Sequence, residues 1–467
     1  MQTYKNSIEV QRLLNSEFSI SIPFEAEQII EILEAKGHHG YIVGGCVRDS
    51  IMGRTPNDWD ITTDAEPSQM MDYFSCFEKV IPTGIKHGTV TVIVNGKSFE
   101  VTTFRVDGQY SDNRRPDSVI FTKTLREDLS RRDFTINSMA YNVETGLIDY
   151  FDGLMDIRKC KIRCVGKSDE RFKEDALRML RAVRFAAQLD FKIDQEAKTA
   201  IINNNSLLKN ISMERINQEF SKIVLTNPFC IRDLWKLKLL QHIIPEFLDS
   251  MVTEQDNPYH IYNVGEHILH SMQSIEPSLH LRLAMLFHDI GKPKKKTMDK
   301  KGVGHFYGHQ EASFEMSKEI LKRLRYDNDI IDKVSQLVLL HDRNITDGIK
   351  CIRRWLSLIG KDALLDLIKV KEADSRAQNP IYYHERYKTL ERIKAVIKEI
   401  IEKQECFTVK DLKINGDDLM DIGYKEGKEI GIALKMLLGK VIEDPKLNDK
   451  EKLASIATAM RRCNTRK

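Results

Sequence analysis

The chain has 467 residues, too many for one ordinary core, so it is expected to divide into two to four domains. Its 72 basic residues against 69 acidic ones leave a net charge of only +3, which excludes a globally basic nucleic-acid binder and confines any basic surface to a patch. There is no signal-peptide core or membrane-length apolar run, and of eight cysteines only Cys160 and Cys164 lie close together, so a cytoplasmic chain with reduced thiols and no disulfide framework or zinc site is expected.

Residues 1–35 carry apolar positions at helical spacing, with Pro23 interrupting. Strand and helix signals alternate over 40–150. A short apolar strand, Tyr41-Ile42-Val43, ends at Gly44 and Gly45, and a helical segment opens with Arg48 and Asp49. Asp58 and Asp60 follow, two apart in an apolar setting, which on a strand directs both carboxylates to one face. Asn95-Gly96 predicts a two-residue hairpin turn within Thr89–Arg105. On its second strand Phe99, Val101 and Thr103 share one face, and Glu100 lies on the other. Residues 106–126 are polar and loop-like.

Strand signals fade from about 165. Residues 168–190 read as one long amphipathic helix with Ser168 as its N-cap. A turn-rich interval at 253–265 marks a boundary, and a helical, histidine-bearing block runs to 376. Residues 377–467 are helical, punctuated by Gly416, Gly423, Gly427 and Gly431.

Two carboxylates near a glycine-rich turn at a helix start suit divalent metal and phosphate. Asp58, Asp60 and Glu100 form a candidate magnesium triad. Three acids suffice, because magnesium keeps phosphate and water among its ligands. Gly45 lets backbone approach a phosphate, and Arg48 offers a planar fork to a triphosphate.

The run GGCVRD followed by DWDIT resembles the nucleotidyltransferase head of the polymerase-β superfamily. More narrowly, it resembles the class II tRNA nucleotidyltransferase and bacterial poly(A) polymerase family. FEVTTFR (99–105), RRDFTINSMAYN (131–142), EDALRMLRAVRF (174–185) and MERINQE (213–219) follow in that family's order. The resemblance implies an α+β head with a polymerase-β-like mixed sheet (36–150) after the N-terminal segment (1–35). An all-α neck (151–250), an HD-type helical domain (251–376) and a helical tail that is a candidate tRNA-binding region (377–467) would follow. It implies template-independent addition of CCA to tRNA 3′ ends from CTP and ATP. Gly44, Gly45 and Arg48 would hold the nucleotide. Arg131 and Arg132 would contact phosphates, one of them being open to the alternative of an exposed basic turn. Asp133 would contact the ribose 2′-hydroxyl.

Asp175 and Arg178, three apart on a helix, would by resemblance serve as an amino-acid template for the base. C and A each offer an exocyclic amino donor beside a ring-nitrogen acceptor, which a carboxylate and a guanidinium match; U and G present a carbonyl to the carboxylate instead. Arg181 and Arg184 continue the ribbon, and Glu214, Arg215 and Glu219 would support that helix. The loop at 106–126 resembles the mobile loop of enzymes that add all three nucleotides, or is a plain linker. An enzyme adding only the terminal A, or a poly(A) polymerase, is the rival within the class.

His288-Asp289, with His267 upstream and Asp374 downstream, resembles the HD metal-dependent phosphohydrolases. These four are the candidate ligands of a second divalent metal, with His309 and His341 as extra ligands or phosphate contacts. A secondary hydrolase acting on 2′,3′-cyclic or terminal phosphates, a scaffold for RNA, or a phosphohydrolase whose front half senses nucleotide are the readings this allows. Lys292–Lys301, Arg353-Arg354-Trp355 and the glycine-punctuated 414–431 are candidate RNA-phosphate contacts. No protein partner is inferred.

Overall fold

The computed structural model describes residues 19–108, 110, 113 and 118–464, and the chain divides into two compact units, Met1–Pro245 and Glu246–Lys467. The first eighteen residues of the expected N-terminal helical segment lie outside the described residues. The helix seen there is Phe24–Ala35, which starts directly after Pro23, as a residue without a backbone donor allows.

The first unit is built on a seven-stranded mixed sheet. Its strands are β1 (Gly40–Val43), β2 (Asp60–Thr63), β3 (Lys79–Gly84), β4 (Thr89–Val94), β5 (Lys97–Thr103), β8 (Met139–Asn142) and β9 (Gly146–Asp149), and a separate two-stranded ladder of β6 (Arg105–Asp107) and β7 (Val119–Phe121) stands apart. The sheet order is β3-β4-β5-β2-β1-β8-β9. Only β2 and β5 are parallel, and their register pairs Asp60 with Glu100. The expected hairpin joins β4 to β5 with Val94 opposite Lys97, and Asn95 and Gly96 both take positive φ, as such a turn requires.

Helix Phe24–Ala35 buries Ile29 and Leu33 in the core formed by Val90, Val92, Phe99 and Val101. Alternation along β5 then leaves Glu100 exposed. Asp58 departs from expectation. The strand begins at Asp60, so Asp58 stands in the irregular lead-in from Asn57, where strand alternation does not set its direction.

The neck also departs from expectation. Residues 168–190 form two helices, Ser168–Glu174 and Leu177–Leu189, with Asp175 extended between them at φ −133° and ψ 105°. Ser168 is the first helical residue, and Lys167 occupies the cap. The second helix packs on Met213–Thr226.

In the second unit, helices Val264–Gln273, Leu279–Phe287, His309–Arg323, Asn328–Leu340 and Lys361–Arg376 form the histidine-bearing bundle. Helix Pro380–Glu402 follows, and Leu419, Leu437, Val441 and Leu453 lie in a separate core farther on. Among the described residues, no helix is long and apolar enough to cross a membrane.

Candidate functional site: a two-part cavity in the first unit and a histidine cluster in the second

A cavity of about 570 Å³ in the first unit is lined by Gly44, Gly45, Arg48, Asp58, Asp60, Arg131, Arg132, Asp133, Asp175, Arg178, Arg181, Arg184 and Arg215. Glu100 lines a second cavity of about 190 Å³, to which Asp60, Arg131 and Arg132 also contribute. The three expected acids are thus brought around Asp60. Its pKa is raised, chiefly by burial; Arg132 opposes the rise, and the Glu100 and Asp58 charges add to it. Carboxylates that repel one another make a hard, all-oxygen donor set that a divalent cation would relieve.

Gly44 has φ +85°, and an added Cβ would come within 3.2 Å of an Arg132 guanidinium nitrogen. It therefore both turns the chain into helix Gly45–Ile51 and makes room for the arginine. Arg48 is buried, donates to the Asn137 side-chain carbonyl at 2.5 Å and pairs with Asp49 at 2.8 Å. Cys46 lines the cavity too, but burial pushes its thiol up to about 11, so it offers no thiolate.

Arg131 and Arg132 both line the two cavities, so neither is merely an exposed turn. Both are held by Asp128, a fully buried acid that the sequence reading overlooked. Arg131 reaches it at 2.7 Å and Arg132 at 3.3 Å. Burial would raise the Asp128 pKa, but the two arginines outweigh it and hold the carboxyl below its usual range. The signal lay in spacing: Asp128 stands three and four residues before them, on helix Leu125–Ser130.

Asp133 is buried and already engaged. One oxygen accepts from Arg181 at 2.6 Å, and the other accepts from the Phe134 amide and from Asn137. Asp175 and Arg178 both face the larger cavity, but their side chains are not paired to each other. Arg178 donates to Glu174 at 2.6 Å, and Arg215 donates to Asp175 at 2.8 Å. The Asp175 carboxylate also accepts from the Leu177 amide, two residues on, where the second neck helix begins. Arg184 is fixed by Glu219 and lies 4.0 Å from the centre of the Phe185 ring, so it is no solvated surface residue. Phe185, also overlooked, lines the cavity and carries Arg48 and Arg181 within 5.4 Å as well. The polar loop touches the same place. Asn113 accepts from the Ala176 amide and donates to the Lys173 carbonyl, on either side of Asp175.

In the second unit His267, His288, Asp289, His309, His341 and Asp374 converge. His267 and His288 lie 3.2 Å apart at their Nε2 atoms, and His309 and His341 lie 3.3 Å apart. Asp289 stands between the two pairs. Its Oδ2 is 3.3 Å from both His267 and His288, and its Oδ1 is 3.3 Å from His309 and 3.6 Å from His341. Asp374 reaches His267 at 3.0 Å.

Each imidazole has Nδ1 against a backbone carbonyl, of Ala377, Met285, Phe306 or Val338, so Nδ1 donates and the Nε2 lone pair faces the carboxylates. That tautomer and this nitrogen–oxygen donor set fit divalent metal. Burial opposes charging of His288, but Asp289 and Asp374 outweigh it and push its pKa up to about 10, so a metal would bind His288 by displacing the Nε2 proton.

Two of the candidate RNA contacts carry ion pairs within the second unit, one buried and one exposed. Arg353 is buried against Glu405, and Arg354 pairs with Glu443 at 2.5 Å. Lys292 is buried and bonds to Asp289 at 2.7 Å, which removes it from the basic stretch. In 414–431, a reciprocal Asn415–Asp418 cap serves the Asp418 and Asn415 amides at helix Gly416–Asp421, whereas helix Lys428–Glu443 begins after Gly427 with no side-chain cap.

Family models match three parts of the chain: a poly(A) polymerase head domain over residues 40–163, a "Probable RNA and SrmB-binding site of polymerase A" over 190–251, and a second domain of tRNA nucleotidyltransferases over 310–457. The CCA-adding enzyme of Latilactobacillus sakei subsp. sakei is 35% identical over 439 residues, covering 93% of this chain and 97% of the relative. That of Lactobacillus johnsonii is 54% identical over 193 residues, covering 41% of this chain and 48% of the relative. The crystal structure of the Bacillus stearothermophilus CCA-adding enzyme in complex with CTP superposes with a TM-score of 0.69 at 29% identity, covering 95% of this chain and 98% of that one.

Proposed function

Because the chain belongs to the CCA-adding enzymes of the tRNA nucleotidyltransferase family, we propose that it builds CCA on tRNA 3′ ends from CTP and ATP, reading no nucleic-acid template. One observation carries this: Asp58 and Asp60, suited to phosphoryl chemistry, and the groups suited to reading a base line one cavity.

The acceptor's 3′-oxygen forms a bond to the α-phosphorus, the bond to the β-phosphate bridge breaks, and pyrophosphate leaves; the hydroxyl proton passes to solvent. Arg48, Arg131 and Arg132 steady the triphosphate, and Gly44 and Gly45 give it close backbone approach. Asp58, Asp60 and Glu100 would hold magnesium, which supplies charge neutralisation and a more acidic hydroxyl. Asp175 accepts from the amino group of C or A, and Arg178 donates to the ring nitrogen. Asp133, steered by Arg181, accepts from the ribose hydroxyl.

The Asn113 contacts beside Asp175 favour the full three-nucleotide activity, since they tie the loop to the base-reading groups. The test supplies magnesium with tRNA transcripts lacking CCA, ending in C or ending in CC, and with CTP, ATP or both. Products ending at the completed CCA from every start support the reading. A single A added only to the CC-ended transcript would mark an A-adding enzyme, and a long A ladder a poly(A) polymerase.

The histidine cluster favours a second activity, metal-dependent hydrolysis of 2′,3′-cyclic or terminal phosphates. Ring opening of a 2′,3′-cyclic phosphate to its monoester, or phosphate release from a terminal monoester, should vanish in His288→Ala; turnover of both that persists would discard this activity. The seven described cysteines are all unpaired, which favours the cytoplasm.

A further inference from the structure

The smaller cavity holds a residue that the nucleotide site does not use. It is lined by Asp60 and Glu100, by Thr89 and Thr102, and by three arginines, Arg105, Arg131 and Arg132. At about 190 Å³ it is smaller than the ~300 Å³ at which pockets for drug-sized ligands begin. It is therefore too small for a nucleoside triphosphate but has room for a ribose and one phosphate. It meets the larger cavity at Asp60, Arg131 and Arg132, on the Glu100 side of the acids.

Nucleotidyl transfer needs two substrates to meet at those acids from different directions. The larger cavity carries the base-reading groups. The smaller is left for the second substrate, the end of an RNA strand.

Arg105 is the cation peculiar to the smaller cavity. It begins β6, directly beyond the buried Phe104, and one terminal nitrogen donates to the His87 carbonyl. Its Nε lies 3.2 Å from Asp107, yet this buried nitrogen makes no hydrogen bond, and neither does the buried Nε of Arg132. The buried Asp128 bonds Arg131 and Arg132 through its carboxylate and receives the Arg105 amide, so all three arginines are anchored on one acid. Burial lowers the Arg105 pKa, and the like charge of Arg131 lowers it further. An anion between these guanidiniums would answer both effects.

We infer that this smaller cavity binds the 3′-terminal ribose and last phosphodiester of the RNA acceptor, and that Arg105 grips that phosphodiester and so places the attacking hydroxyl beside Asp60 and Glu100. The inference rests on the nucleotidyl-transfer reading above. Arg105 makes no bond to the incoming nucleotide in this scheme. It acts on the acceptor alone, and so its loss separates the two substrates.

The test uses the full chain with tRNA transcripts whose last internucleotide linkage carries one phosphorothioate, each diastereomer separately, compared with the all-oxygen transcript. In the unaltered enzyme one diastereomer should be extended more slowly than the other. In Arg105→Gln that difference should disappear, and KM for tRNA should rise roughly ten- to a hundredfold, as for a lost charge-assisted hydrogen bond, while KM for CTP stays within twofold (roughly). Equal extension of both diastereomers by the unaltered enzyme would overturn the inference even if the variant does not fold. A folded Arg105→Gln that keeps its KM for tRNA, or that loses affinity for CTP equally, would also overturn it. No extension by the unaltered enzyme on any transcript would instead overturn the nucleotidyl-transfer reading.

Discussion

Arg215 donates to both oxygens of Asp175, at 2.8 and 3.3 Å, and thereby holds the carboxylate at the break between the two neck helices. Asp175 lies in extended backbone with no helix to orient it, so its direction depends on that guanidinium and on the Leu177 amide. Arg215→Ala should let the carboxylate swing away from the base. Single-turnover rates with CTP and ATP should fall roughly ten- to a hundredfold, as for loss of a charge-assisted hydrogen bond, and the preference over UTP should narrow. An unchanged CTP-to-UTP ratio would show that Asp175 does not read the base.

The two chemistries should separate cleanly. Asp60→Asn should cut nucleotide addition by roughly a thousandfold, the scale on which loss of a charge-stabilising group acts. Phosphoester hydrolysis attributed to the histidine cluster should stay at the unaltered level, because none of its residues belongs to the first unit. Both activities, measured on one preparation, check this.

Asp128 predicts a pH-dependent share of stability. Its folded pKa is depressed, so the stabilisation is present above the unfolded value, about 4, and is lost as pH falls through the folded value. Asp128→Asn leaves Arg131 and Arg132 without their counter-charge and should cost roughly 3 kcal/mol at neutral pH. The gap in melting temperature between the two proteins should be widest above about pH 5, narrow as pH falls below about 4, and close only as pH falls through the depressed folded value.

Gly44→Ala should damage fold and activity together. Its backbone, at φ +85° and ψ −127°, strains any residue with a Cβ, at a cost of about 1–3 kcal/mol. The added atom also presses on Arg132. Thermal unfolding and KM for CTP report the two effects separately, and a variant normal in both would remove Gly44 from the site.

Chelation should act unequally on the two units. Removing divalent metal should leave the head folded, because its acids cap a sheet whose core is apolar. The second unit should lose melting temperature, because six buried or half-buried ligands would then face one another unscreened. Metal-dependent melting of each unit, followed by hydrogen exchange, checks this.

The local parts were legible in the residues alone. The Asn95-Gly96 turn, the strand ending at Gly44, the outward face of Glu100 and the histidine motif all follow from steric preference and periodicity, which act over a few residues. Three-residue spacing also suggested a continuous template helix, and there the tertiary structure decided otherwise. Asp175 leaves the helix because Arg215, thirty-seven residues past Arg178 in the chain, and Asn113 from the loop satisfy its carboxylate and its neighbour's amide in an extended conformation. The partners of Arg353 and Arg354, the burial of Asp128 and the meeting of two cavities at Asp60 likewise depend on contacts between distant segments. A charge in a sequence has no fixed partner; only packing decides whether it meets a counter-charge, a substrate or water.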